Sequence, residues 1–186
     1  MHGPLSAAWL LVALCAATGA YCLLRMRSGV EDQRRTAGGE ALMGFGMALM
    51  AVPAAVLTPP SWAWLLYAVV FGAAALPALW AARRGGHHLH HLVGTFAMAY
   101  MAVEMAGRPA AHAHHGGGAG TPALTGLFLA YFVVYVLWAG ARLVPTATAV
   151  ASGGPTPAVG WGDRPELARA CRLSMGIGML AMLLTM

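Results

Sequence analysis

The sequence predicts an all-α, polytopic membrane protein: a six-transmembrane-helix bundle with the N and C termini outside. Three observations predict it. Of the 186 residues, 59% are hydrophobic and only 9% are charged, where a soluble domain carries about 25% charge. Apolar runs of about 18 residues or more recur, long enough to cross a hydrocarbon core of roughly 30 Å. The basic residues, all eleven of them arginine, are also unevenly distributed. Arg25, Arg27, Arg34 and Arg35 follow the first apolar run, and Arg83 and Arg84 follow the third. Arg142, Arg164, Arg169 and Arg172 flank the connection between the fifth and sixth, which leaves Arg108 alone on the other side. Arginines gathered on one side mark the cytoplasmic face. The net charge of +5 is then a topology device. No basic surface interleaved with aromatics points to nucleic acid, and no short segments of alternating polarity suggest a β-barrel.

The whole chain, 1–186, reads as a single membrane domain with spans at about 5–24, 40–57, 61–82, 88–106, 122–142 and 166–186. Span one is expected to be retained. Met1-His2-Gly3-Pro4 provides no positively charged n-region, and Leu14-Cys15 does not resemble a lipoprotein cleavage site. A polar loop, Arg25 to Gly39, precedes span two, and Thr58-Pro59-Pro60 turns the chain into span three. Arg83 to Gly86 leads into span four through a histidine cluster. The outer loop from Gly107 to Thr121 carries His112, His114 and His115, and the inner loop from Val144 to Trp161 is rich in Pro, Gly, Thr and Ala. Asp163 and Glu166 have capping-box spacing around Pro165, which starts span six. Its uninterrupted apolar part, Leu173 to Met186, is short, so Arg169 and Arg172 are expected to snorkel to the surface. Cys15, Cys22 and Cys171 lie in or at the ends of spans, which implies no disulfide framework.

Ten of the twelve methionines fall in three runs: Met43, Met47, Met50; Met98, Met101, Met105; and Met175, Met179, Met182, Met186. At about 100° per residue each run stays within roughly 80° of arc, so its thioethers line one helix face. Two runs sit in nearly the same phrase, MGFGMALM and MGIGMLAM, and both spans enter from the same side. Gly44, Gly46, Gly176 and Gly178 in these phrases let helices approach closely. The odd spans carry most of the aromatics, so the even helices are expected to pack centrally.

Each stripe has a stronger ligand near one end: Glu40 beside Met43, His87 and His91 on the face of Met98 and Met105, and Cys171 one turn before Met175. Thioether, thiolate and imidazole together suit a soft ion, Cu(I) above all. The bland reading is packing, since methionine fills irregular gaps well. His87-His88-x-His90-His91 could chelate a metal at i, i+4, or meet lipid phosphates as an interfacial anchor. It lacks the glutamate of a zinc-protease motif. The outer histidines could capture divalent metal weakly or form a plain solvated loop. Glu104 reads as the only acid well inside a span, a functional candidate by default, with Arg108 as a structural partner at i, i+4. A bis-histidine haem needs facing histidines on different helices at one depth, and the membrane-proximal ones all lie on span four. No hydrolytic triad, P-loop or dinucleotide fingerprint is present, which gives little support to hydrolytic or nucleotide chemistry.

The phrases GGEALMGFGMALMAVP, HHLHHLVGTFAMAYM and GWGDRPELARACRLSMGIGMLAMLLTM, with MHGP at the start, run the length of the chain. Together they resemble an actinobacterial, streptomycete-like family of small integral membrane proteins of unknown function. The resemblance implies a multi-pass plasma-membrane protein and carries over no functional residues. The leading expectation is therefore non-catalytic binding or movement of a soft metal ion, with copper as the one candidate cofactor. Its candidate ligands are Met43, Met47, Met50, His87, His91, Met98, Met101, Met105, Cys171, Met175, Met179 and Met182. The alternative is a membrane scaffold or partner subunit, self-associating or joined to another membrane protein, with methionine-rich packing. A weaker alternative is a haem or quinone redox subunit. The lipid bilayer is the one partner common to all three.

Overall fold

A computed structural model describes residues 3–29, 31–82, 89–107, 121–151 and 164–185. Among these residues the structure is all helix and turn, with no strand. The helices are α1 (Gly3–Arg25), α2 (Glu31–Met50), α3 (Ser61–Ala82), α4 (Leu89–Gly107), α5 (Pro122–Ala151) and α6 (Pro165–Leu184). Four of them, α1, α3, α5 and α6, are long and apolar enough to cross a membrane. The other two are more polar: Glu31, Asp32, Arg34, Arg35 and Glu40 lie on α2, and His90, His91 and Glu104 on α4.

Local sequence explains most helix ends. α1 closes in a tightened last turn, where the amides of Met26, Arg27 and Ser28 donate to Leu23, Leu24 and Arg25 carbonyls. α5 and α6 each open on a proline, whose missing N–H costs nothing in a first turn. Pro77 lies inside α3, where it leaves the Ala73 carbonyl without its helical donor.

The largest departure from the sequence reading is α2. The polar segment expected to be a loop up to Gly39 is helical from Glu31, and the helix ends at Met50 instead of 57. Glu31 and Asp32 suit a helix N-terminus, and Pro53 disfavours helical geometry in the residue before it. This shift moves Glu40 from the mouth of a span to the middle of a helix. α5 also runs on past the expected end at 142 to Ala151. The Asp163 half of the expected capping box lies outside the described residues.

The chain divides into two compact units: Met1–Ala51 with Ala130–Leu180, and Val52–Leu129 with Ala181–Met186. In the first, α1 and α2 form an antiparallel hairpin held at glycines. A Cβ placed on Gly44 would lie 2.8 Å from both the Cα and the N of Gly19, so backbone meets backbone there. Gly176 lies against the Tyr135 ring and Val136 on α5, and Gly178 against Leu11, Cys15 and Met47. In the second unit, α3 packs along α4. Ala75, Ala78 and Leu92 form its small core, Tyr67 stacks on Phe71, and the Tyr100 hydroxyl bonds Thr125 at 2.9 Å.

In the first unit, burial passes over the branched aliphatic residues that fill a soluble core. Among the described residues of the first unit no leucine, isoleucine or valine is buried. The buried apolar side chains are Cys15, Cys22, Met43, Met47, Met175, Met179, Phe132 and alanines. Leu10, Leu24, Leu49 and Leu137 point outward instead. In a bilayer, acyl chains solvate leucine as well as a protein core does, so small residues and close packing decide what lies inside. Of the four membrane-length helices α6 is the most enclosed, with 39% of its window buried against 6% for α5.

Gly44→Ala should force α1 and α2 apart and destabilise the protein by about 1–3 kcal/mol, as overpacking does. Gly178→Ala, whose Cβ would meet only ordinary contacts at 3.4–3.7 Å, should change stability by less than about 0.5 kcal/mol. Thermal unfolding of both variants in detergent checks the contrast. Equal melting temperatures would mean that the helices do not touch at Gly44.

Candidate functional site

The inward face of α1 reads Leu11, Cys15, Thr18, Cys22, Arg25, at alternating spacings of four and three. That spacing keeps one face turned to a partner helix, and here four of its five members carry heteroatoms. Cys15, Thr18, Cys22 and Arg25 are all buried. α2 contributes Glu40, Met43, Gly44 and Met47, and α6 contributes Arg172, Met175, Gly178 and Met179.

Two levels can be distinguished along these helices. At one, the Glu40 carboxylate accepts from Arg25 Nη1 on one oxygen and from Arg172 Nε, at 2.7 Å, on the other. Arg25 and Glu40 expose only 1% and 7% of their side chains, whereas Arg172 exposes 36%. The Cys22 thiol donates to Glu40 Oε2 at 3.8 Å. Tyr135 interacts electrostatically with both Arg172 and Glu40. Arg25 Nε is buried and has no hydrogen-bond partner. Between the levels, the Thr18 and Ser174 hydroxyls lie 3.2 Å apart, and each also bonds a carbonyl of its own helix.

The second level is sulfur. Cys15 Sγ and Met47 Sδ both approach the Cβ position of Gly178, at 3.4 and 3.7 Å. Met43, Met175 and Met179 are buried in the same unit. Met50, at the end of α2, is only partly enclosed. Soft thioethers and thiols in a water-poor interior can hold a soft ion, and they can equally fill space.

The remaining candidate ligands are dispersed. Met98 and Met101 are buried on α4 in the second unit, with Met105 and His91 half-buried. Met182 is buried near the end of α6 and belongs to that unit. Cys171 is half-buried beside the Glu40 network. His87, the outer histidines, Arg108 and Met186 lie outside the described residues. No group of three His, Cys, Asp or Glu side chains able to hold a metal occurs among the described residues. A metal site here would therefore rest on thioethers or on fewer ligands.

Sequence reasoning took Arg25 for a surface topology charge and Arg172 for a snorkelling one. The structure corrects the first: Arg25 is buried against Glu40. Arg172 stays partly exposed and also bonds Glu40, whose place in the middle of α2 was not expected. Cys15, Thr18 and Cys22 were passed over as ligands. Their four–three spacing with Arg25 was the signal that could have found them.

Among the described residues, helices long and apolar enough to cross a membrane, a sulfur-rich interior and a buried ionic network are thus what fold and site define. Residues 32–186 match the model of the Domain of unknown function (DUF5134) family, and the chain belongs to that family. No curated protein and no solved structure matches it.

Removing the carboxylate alone strands the buried Arg25 charge. Glu40→Met should cost about 3–5 kcal/mol, whereas Arg25→Met with Glu40→Met should cost clearly less, because both buried charges then leave together. Unfolding of the two variants in detergent measures the difference. A double variant no more stable than the single one would show that the pair is not coupled.

Proposed function

We propose that this protein binds Cu(I), or an ion of similar softness, in the sulfur-lined interior of its first unit and passes it along the methionine stripes. The observation that carries the reading is the choice of buried side chains. Met43, Met47, Met175 and Met179 are enclosed together with Cys15 and Cys22, while the described leucines of that unit are exposed or only half-buried. Packing alone does not favour thioether over leucine, because the two are nearly interchangeable in volume. Metal affinity does distinguish them. His87, His91, Met98, Met101 and Met105, with Met50 and Met182, complete the proposed set of ligands.

We also infer a six-span plasma-membrane topology with both termini outside and an actinobacterial origin. Ten arginines against one across the predicted spans support the topology, and the arginine-only, alanine- and glycine-rich composition fits the origin. A second reading, a scaffold or partner subunit whose methionines only pack, draws support from the direct Gly19–Gly44 contact, which holds α1 to α2 without any ligand.

Anaerobic protein in detergent, loaded with cuprous ion and freed of excess, decides between them. Wild type should retain stoichiometric copper. The variant Met98→Leu, Met101→Leu, Met175→Leu, Met179→Leu should fold with less than about 1.5 kcal/mol lost per swap and retain less copper. Equal copper in both proteins, or none in either, would leave the methionines as packing.

A further inference from the structure

Two direct contacts and one shared carboxylate show how α1 runs against α6. Cys15 stands against Gly178, Thr18 against Ser174, and Arg25 and Arg172 meet on the same carboxylate. Numbers rise along α1 as they fall along α6, so the helices are antiparallel. One turn from Thr18 toward Arg25 lies Cys22. One turn from Ser174 toward Arg172 lies Cys171, on the same face at i−3. The register therefore sets the two thiols opposite each other, at the level of Glu40. Two separate facts agree with this placement. Cys22 Sγ is 3.8 Å from Glu40 Oε2, and Cys171 interacts electrostatically with Cys22, Arg25, Glu40 and Arg172.

The charges at this level do not balance by themselves. Two guanidiniums and one carboxylate carry a net +1, and Arg25 Nε is buried without a partner. An unmatched charge is costly in a low-dielectric interior. We propose that Cys22 and Cys171 form a two-coordinate Cu(I) site beside the Arg25–Glu40–Arg172 network, where the ion enters the sulfur core as a bis-thiolate complex.

The step balances without any redox partner. Two S–H bonds break, two Cu–S bonds form, two protons leave to solvent, and copper stays in the +1 state. The complex carries −1, so loading brings the level to neutrality. Cys171 is half-buried and Arg172 partly exposed, which leaves this end of the unit open to ion and protons. A thioether site would release no proton, because methionine has none to displace. Two thiolates also suit Cu(I) without the third hard or borderline ligand that the described residues lack.

This inference rests on the soft-cation reading, and proton counting separates the two. Anaerobic full-length protein in weak buffer is titrated with cuprous ion alone, and copper retained, protons released and near-ultraviolet thiolate-to-copper absorption are followed. The first ion should release about two protons and bring the absorption band. Cys22→Ser and Cys171→Ser should each lose that band and that ion. Arg172→Gln, at a partly exposed position, should bind the first ion roughly 10–100-fold more weakly, as loss of an outer-shell partner does, and Arg172→Lys should recover much of that loss. Copper bound without proton release, or held equally by the cysteine variants, would overturn the thiol site and leave the thioether reading standing. No copper bound by wild type would overturn both. An unchanged affinity in Arg172→Gln would overturn the charge-matching argument.

Discussion

A single carboxylate ties three helices of the first unit together. Glu40 on α2 receives Arg25 from the end of α1 and Arg172 from the second turn of α6, one on each oxygen. In a soluble core such a network contributes little net stability, because desolvating three charges offsets their attraction. Among helices whose outer faces are leucine, it acts as a fixed registry mark. Leucine faces slide and rotate against lipid at little cost, whereas moving α2 by one turn would strand the buried Arg25 charge. The α1–α2 hairpin, the Thr18–Ser174 bridge and the level at which the sulfurs meet all follow from that mark.

Below it the packing obeys a different rule. Gly19 touches Gly44 backbone to backbone, and Gly178 lets Cys15 and Met47 close on α6. Close approach maximises dispersion contacts in a setting where apolar burial gives little driving force. Flexible thioethers then fill what the rigid glycine crossings leave. The outcome, within the first unit, is a set of buried sulfurs beside a positively charged level. Order along α1, from Arg25 through Cys22 and Thr18 to Cys15, makes that gradient explicit. A soft cation reading such a gradient would meet thiol before thioether.

Several elements were legible in the sequence. Apolar run lengths located α1 and α3 to within a few residues, and Pro165 with Glu166 marked the start of α6. The glycines of MGFGMALM and MGIGMLAM were read as points of close approach, and Gly44 is one. α2 was misplaced because its first turns are polar and carry two glycines. A hydropathy reading ends a span there, while the backbone hydrogen bonds of a helix do not require apolar side chains.

The candidate site was legible only in part. The methionine faces are a matter of 100° periodicity, which a sequence displays directly. Partners across helices are not, because which residue of α6 stands opposite Cys22 depends on crossing point and direction. By itself the sequence determined helical class, membrane-length apolar runs and which residues share each face, since local spacing and composition fix those. Tertiary structure alone decided that Arg25 and Arg172 meet Glu40, that Thr18 meets Ser174, and that in the first unit sulfur is buried while leucine is not. Those outcomes depend on contacts between residues far apart in the chain, set by glycine approach and one buried ion pair.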